Sequence, residues 1–362
     1  LEQFWNNLIE GVASTSEATA EQMGVDPKVF YHPEKGQTDK YYCMQGGFVR
    51  GFQFDPTGFT LPADSLESLD DVFKWSLHVS REALKDSGYL NRSDLSRCGI
   101  ALGNLSFPTK RTRRYFGNLY RQALNPALRT LLNDDHFELE ALPGDGGLPQ
   151  NALISGYPAS IVSQALSLGE PTFALDAACA SSLYAVDLAS RYLRLHRADL
   201  MLAGAVSCAD PLFIHQGFSI FHAYPENGQS RPLDKASEGL IAAEGAGMFV
   251  LKRYGDARRD GDRIYAVIQG AGLSNDGKGK SVLNPNPRGQ VLAFERAYAE
   301  IDPATVDYVE CHATGTPVGD PAELDAMATF WPSQQLPQIG SIKSNLGHML
   351  SAAGMASMLK VI

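Results

Sequence analysis

Along most of the 362-residue chain, apolar runs of strand length alternate with longer stretches in which apolar residues recur every three or four positions. The short runs predict strands at 99–103, 172–177, 200–206, 246–251, 265–268, 308–311 and 338–342. The longer ones predict helices over 72–86, 181–195, 288–300 and from 352 to the end. Such alternation predicts an α/β fold with layers of helices around sheets. The predicted strands end repeatedly in glycine-rich or small-residue turns, the places where these folds carry chemistry. Residues 107–150 break the rhythm with a basic start, an apolar middle and the turn-rich Pro143-Gly144-Asp145-Gly146-Gly147. We read them as an insertion or lid.

Composition narrows the class. With 44% hydrophobic residues the chain can bury a large core, as two domains or one duplicated unit. No run reaches the length of a membrane helix, and no signal peptide is present. A net charge of −10 and a pI near 5.3 argue against nucleic acid, which selects a basic face. Five cysteines, at 43, 98, 179, 208 and 311, have the irregular spacing of free thiols in a reducing compartment, which we read as the cytoplasm. Lys110, Arg111, Arg113, Arg114 and Arg121 form a basic cluster suited to an acidic partner, or simply a solvated helix face. The first residue is not Met and the last lie inside a helix-like run, as expected of an excised piece.

Three turns hold the chemistry-bearing residues. Asp176-Ala177-Ala178-Cys179-Ala180-Ser181-Ser182 joins a predicted strand to a helix, so Cys179 lies where a helix N-terminus favours a thiolate. Taken by itself, Cys179 fits equally well as a small core residue. Glu310-Cys311-His312-Ala313-Thr314-Gly315-Thr316 places His312 at a strand end, with Cys311 turned the other way by strand alternation. Gly340-Ser341-Ile342-Lys343-Ser344-Asn345-Leu346-Gly347-His348 repeats the arrangement. A lysine so near a buried site calls for a carboxylate, for which Glu323 and Asp320 are candidates. One cysteine and two histidines at equivalent places suggest thiol catalysis with imidazole assistance. The ligands lie far apart without any C-x-x-C or H-x-x-x-H pair, so no metal is expected. His215, His222, Cys43, Cys98 and Cys208 are read as structural.

Together with Gly319, Asp320 and Glu323, the three blocks resemble the signature motifs of the β-ketoacyl synthases in order and spacing. Supporting similarity runs through Glu82-Ala83-Leu84-Lys85-Asp86-Ser87-Gly88-Tyr89, Ala203-Gly204-Ala205-Val206, Ala242-Ala243-Glu244-Gly245-Ala246-Gly247 and Gly270 to Gly277. The block Leu69-Asp70-Asp71-Val72-Phe73-Lys74-Trp75 and the long insertion look most like ketosynthases of polyunsaturated fatty acid synthases and iterative polyketide synthases.

The resemblance implies a thiolase-like five-layer αβαβα fold of two similar halves, here 1–272 with the cysteine and 273–362 with both histidines, assembled as a dimer. It implies decarboxylative condensation of an acyl group on Cys179 with a malonyl thioester. His312 and His348 would stabilise the enolate, Lys343 would orient them against Glu323, and Thr314 and Thr316 would bind the phosphopantetheine amides. Asp320 and Asn345 would support the site. No cofactor is implied beyond phosphopantetheine on an acyl carrier protein. The partners implied are that carrier protein and either a second copy or a chain-length-factor-like subunit. A non-catalytic chain-length-factor role for this chain is the alternative. The family's opening glycine-bearing strand and its closing strands with a Gly-Phe-Gly loop are not within these residues, so the fold is expected to lack its terminal strands.

Overall fold

The computed structural model describes residues 1–91, 94–141, 148–278, 284–332 and 336–362. Eight strands are named in chain order: β1 Thr15–Glu17, β2 Gln45–Gly47, β3 Cys98–Gly103, β4 Thr172–Leu175, β5 Leu200–Ser207, β6 Gly245–Leu251, β7 Tyr308–Glu310 and β8 Gln338–Gly340. The main sheet has the order β4-β3-β5-β6, with β4, β3 and β5 parallel and β6 antiparallel at the edge. β7 and β8 form a separate parallel pair, and β1 pairs antiparallel with β2.

β3 and β5 read CGIALG and LMLAGAVS and are buried along their whole length, as strands covered on both faces must be. Alternate residues serve opposite layers. Ile100, Leu102, Leu202 and Val206 meet Phe73, Leu77 and Leu84 of helix Asp71–Asp86 and Ile161 and Val162 of helix Tyr157–Leu166. Ala101, Met201, Ala203 and Ala205 meet Ala185, Ala189 and Leu193 of helix Ser181–Arg194 and Met355 of helix Ala353–Val361.

The second interface is built largely from alanine, which lets helix and sheet approach closely. A Cβ on Gly103 would lie 2.9 Å from the Ser181 carbonyl carbon. That contact fixes the start of helix Ser181–Arg194, and with it the turn bearing Cys179, against the end of β3.

One sequence expectation needs correction. Residues 265–268 form no strand. Tyr265 is 54% exposed and Val267 51%, and no described strand runs beside them to complete a ladder. The insertion is organised by one helix, Lys110–Leu132, with Pro126 inside it; Thr109 Oγ1 caps it by accepting the Thr112 N–H at 3.1 Å. The Pro143 to Gly147 turn lies outside the described residues. Helix Ser181–Arg194 is amphipathic: Leu183 is 45% exposed, and the buried side carries Asp187, paired with Arg191 at 2.7 Å.

All five cysteines are free. No helix among the described residues is long and apolar enough to cross a membrane.

Candidate active site

Three turns at strand ends converge. After β4, Asp176 Oδ1 accepts the Ala178 N–H at 2.9 Å. Ser181 Oγ accepts the Ala177 N–H at 2.9 Å and donates to the Ala178 carbonyl at 2.7 Å. Ala178 adopts a left-handed conformation, φ +49°. For a residue with a Cβ that is strained backbone, the kind that surrounding bonds must hold in place. Cys179 follows at the crest, half-buried and two residues before the helix. Its own backbone N–H lies close to the thiol and favours the ionised sulfur.

Burial pushes the Cys179 thiol above its ordinary pKa, and the nearby Lys343 ammonium pulls it only partly back. The expectation of a resting thiolate at the helix N-terminus is therefore revised: desolvation wins and the resting group is the thiol.

The turn after β7 is pinned by carboxylates. Cys311 packs on the Met327 sulfur at 3.8 Å and donates its N–H to the Gly340 carbonyl at 2.8 Å, leaving His312 on the opposite, exposed side. Glu323 Oε1 and Oε2 accept the N–H groups of His312 and Ala313, each at 2.7 Å. Asp320 accepts from Gly315 N–H at 2.9 Å and from Leu233 N–H at 2.8 Å. Gly315 has φ +82°, and a Cβ there would sit 2.6 Å from Ser237 Oγ, so only glycine fits. The hydroxyls of Thr314 and Thr316 lie 3.1 Å apart.

The turn after β8 is tied to the previous one by Ser341 Oγ, which donates to the Ala313 carbonyl at 2.9 Å, and by Ile342 N–H, which donates to Glu310 Oε1 at 2.5 Å. Further on, His348 is held through its backbone, its N–H donating to the Ile241 carbonyl at 2.7 Å and its carbonyl accepting the Ala243 N–H at 2.8 Å.

The result is a cluster in which Cys179 Sγ, a ring nitrogen of His312 and one of His348 all lie within 4.8 Å of one another. The two imidazoles meet edge to face, 5.3 Å between centroids at 87°. Sequence spacing, which spoke against a metal, does not describe this arrangement, because the three groups come from three separate turns.

The tautomer of His348 follows from a backbone bond. Its Nδ1 accepts the Leu350 N–H at 3.0 Å, so in the neutral ring the proton sits on Nε2. Leu350 achieves this with φ +46°. Desolvation lowers the basicity of both rings, helped at His348 by His312 and then Lys343, and at His312 by Lys343. His312 keeps an exposed edge, yet the walls of the cleft and the Lys343 charge act in the same direction. Both are neutral near neutral pH.

Lys343 is 4% exposed and forms no contact ion pair among the described residues. Burial lowers its pKa, while Glu323 and then Glu310 support the charge from a distance. Glu323 and Asp320 are thus not its contact partners; both spend their oxygens on backbone N–H groups. Asn345 also turns away, donating from Nδ2 to the Val12 carbonyl at 3.2 Å. The sequence reading missed Ala178, Ser181 and Leu350. Ser181 had a signal, a hydroxyl two residues after the cysteine and able to staple the turn. Leu350 had none, since its part is played by a backbone N–H.

In the basic cluster, Arg113 forms a 2.6 Å ion pair with the fully buried Asp210 and donates to the Met23 carbonyl at 3.0 Å. Arg111 donates to the Ser68 carbonyl at 2.9 Å. Arg121 donates to the Leu139 carbonyl at 3.2 Å. These side chains hold the helix to its neighbours, so Arg113 is not free to meet a partner.

A largely parallel sheet clad in helices, with a thiol and two imidazoles gathered at strand ends, is the arrangement that the resemblance implies for a thiolase-like protein of the condensing class. Comparison with known proteins takes this further. Residues 1–257 match the family described as "Beta-ketoacyl synthase, N-terminal domain", and 265–362 match "Beta-ketoacyl synthase, C-terminal domain", so the chain belongs to the β-ketoacyl synthase family. It is similar to polyunsaturated fatty acid synthase subunits A and B of Thraustochytrium sp., 33% identical over 99% of this chain and 34% over 100%, covering 13% and 17% of those proteins. A solved structure titled "PfaC Keto synthase-Chain length factor" superimposes with a TM-score of 0.95 at 53% identity, over 99% of this chain and 39% of that one. The chain therefore spans well under half the length of these relatives.

Proposed function

We propose that this chain carries out decarboxylative Claisen condensation as the ketosynthase unit of a larger fatty acid or polyketide synthase. The observation that carries the reading is the convergence of Cys179, His312 and His348 within 4.8 Å.

Cys179 takes an acyl group from the phosphopantetheine arm of an acyl carrier protein, its thiol proton leaving with the carrier thiol. The Cys179 backbone N–H, beside the reacting sulfur, would stabilise the oxyanion that forms on the way. Thr314 and Thr316 offer hydroxyls to the amides of the arm. A malonyl thioester then loses carbon dioxide, and the electron pair released goes to the thioester carbonyl as an enolate. His348, with its proton fixed on Nε2, donates to that oxygen, and neutral His312 does the same from the other side. The enolate carbon attacks the Cys179 thioester, expels the thiolate and leaves a 3-ketoacyl product two carbons longer.

Lys343 acts through charge. A buried ammonium beside both rings disfavours imidazolium and favours the developing enolate. Glu323 positions His312 by holding its backbone. We place the enzyme in the cytoplasm, as a dimer with a second copy or a chain-length-factor-like subunit, a reading supported by the 53%-identical structure, which joins a keto synthase and a chain length factor in its description.

Intact-mass measurement after incubation with an acyl thioester tests the assignment. An acyl adduct that disappears in Cys179→Ala supports it; an adduct surviving that substitution rejects it, and no adduct at all favours the non-catalytic partner. Against that last reading stands the presence of all three reactive groups in one cluster.

A further inference from the structure

We infer that the unacylated site is a binding place for a thiophilic divalent cation such as zinc, which would inhibit the chain reversibly through Cys179, His312 and His348. One thiol and two imidazoles are a donor set that zinc accepts, and three protein ligands leave a fourth position for water. Their donor atoms are already within 4.8 Å of one another. Bonds of about 2.0–2.3 Å to one ion require them to draw together by roughly 1 Å. The exposed His312 and half-buried Cys179 have room to do so by small side-chain rotations.

Two features oppose binding. When His348 Nε2 ligates the ion, the ring proton moves to Nδ1 and the hydrogen bond from Leu350 N–H is lost. That sets the lost hydrogen bond and two facing, unpaired N–H donors against three metal–ligand bonds, and the metal bonds prevail. The nearby Lys343 charge repels a dication, and Glu323 and then Glu310 offset part of that repulsion. The step needs no redox partner: zinc replaces the thiol proton, which is released to solvent, and a zinc–sulfur bond forms.

The inference also has a consequence for the proposed reaction, and in this respect rests on it. An acylated Cys179 has no free thiol to offer, so a chain loaded with acyl group resists zinc, and only the empty enzyme is sensitive.

Alkylation of Cys179 by iodoacetamide, followed by peptide mass spectrometry with zinc chloride as the sole added metal, tests the site without requiring condensation. The buried Cys43, Cys98 and Cys311 serve as internal controls. Micromolar zinc is expected to slow labelling of Cys179 by about tenfold or more, with full recovery in EDTA. In the His312→Gln, His348→Gln double variant the protection is expected to fall by about tenfold. Labelling unaffected by excess zinc overturns the inference, as does protection that persists undiminished in the double variant. Should that variant not fold, calorimetric titration of Cys179→Ser with zinc decides: weakening by at least about tenfold supports the site, and unchanged affinity overturns it.

Discussion

At the scale of single residues, the site separates groups that react from groups that set their state. Cys179 rests as a thiol because burial outweighs the pull of Lys343. Its rate of alkylation should therefore still climb with pH beyond 9, the ordinary thiol value, and a plateau by pH 8 in a stopped-flow assay would contradict the resting thiol. Lys343 works on the histidines by its positive charge. Lys343→Met removes that charge, so the imidazole pKa values rise and more of each ring is protonated at a given pH. The acid limb of the pH–rate profile is then expected to move to higher pH, as read from kcat for decarboxylation of a malonyl thioester. An unmoved limb would assign Lys343 to packing alone.

At the scale of elements, what positions the site is a set of short, specific bonds between turns. For Arg113, the reading of the basic cluster as a surface for an acidic partner gives way to a structural account, since its guanidinium neutralises Asp210, which is fully buried. Arg113→Ala leaves that carboxylate uncompensated and should cost about 3 kcal/mol in urea unfolding, with little change in carrier-protein KM. Buried histidines make stability depend on pH in a definite direction. His215 is held neutral by burial, down to about 4, against an ordinary value of 6.5. Between those values the unfolded state binds a proton that the native state refuses, so stability falls as pH drops below about 6.5. Thermal melts from pH 7.5 to 5 should show a falling Tm, and His215→Gln should flatten part of that slope.

The strand and helix pattern was largely legible because burial on both faces writes itself as apolar runs, as in β3 and β5, and an amphipathic helix as a period, as in Asp71–Asp86. Residues 265–268 show where that signal fails. Their apolar character is real, but a strand exists only beside another strand, and none of the described ones is there. Helix Lys110–Leu132 escaped for the opposite reason: many of its apolar residues, Tyr115, Leu119, Tyr120 and Leu124 among them, face outward, so its pattern does not point to this core.

At the scale of the whole molecule, the acidic chain is proposed to dock an acidic carrier protein through whatever positive charge remains unspent. In the basic cluster that leaves Lys110 and Arg114, neither of which makes a contact ion pair among the described residues. Arg114→Glu is expected to raise carrier-protein KM several-fold while leaving kcat and acylation by a small-molecule thioester unchanged. Equal KM values for both forms would move the docking surface elsewhere.

By itself the sequence determined the family and the layered α/β architecture, and it singled out the three side chains proposed to react, because these depend on residue types in a fixed local order. Only the tertiary structure decided their state. It brought Cys179, His312 and His348 together from turns up to 169 positions apart in the chain, Cys179 to His348. It buried Lys343 without a contact counter-ion, set Glu323 to hold a backbone instead, and fixed the His348 proton through a main-chain N–H. Protonation follows from burial and from neighbours distant in the chain, neither of which local sequence encodes.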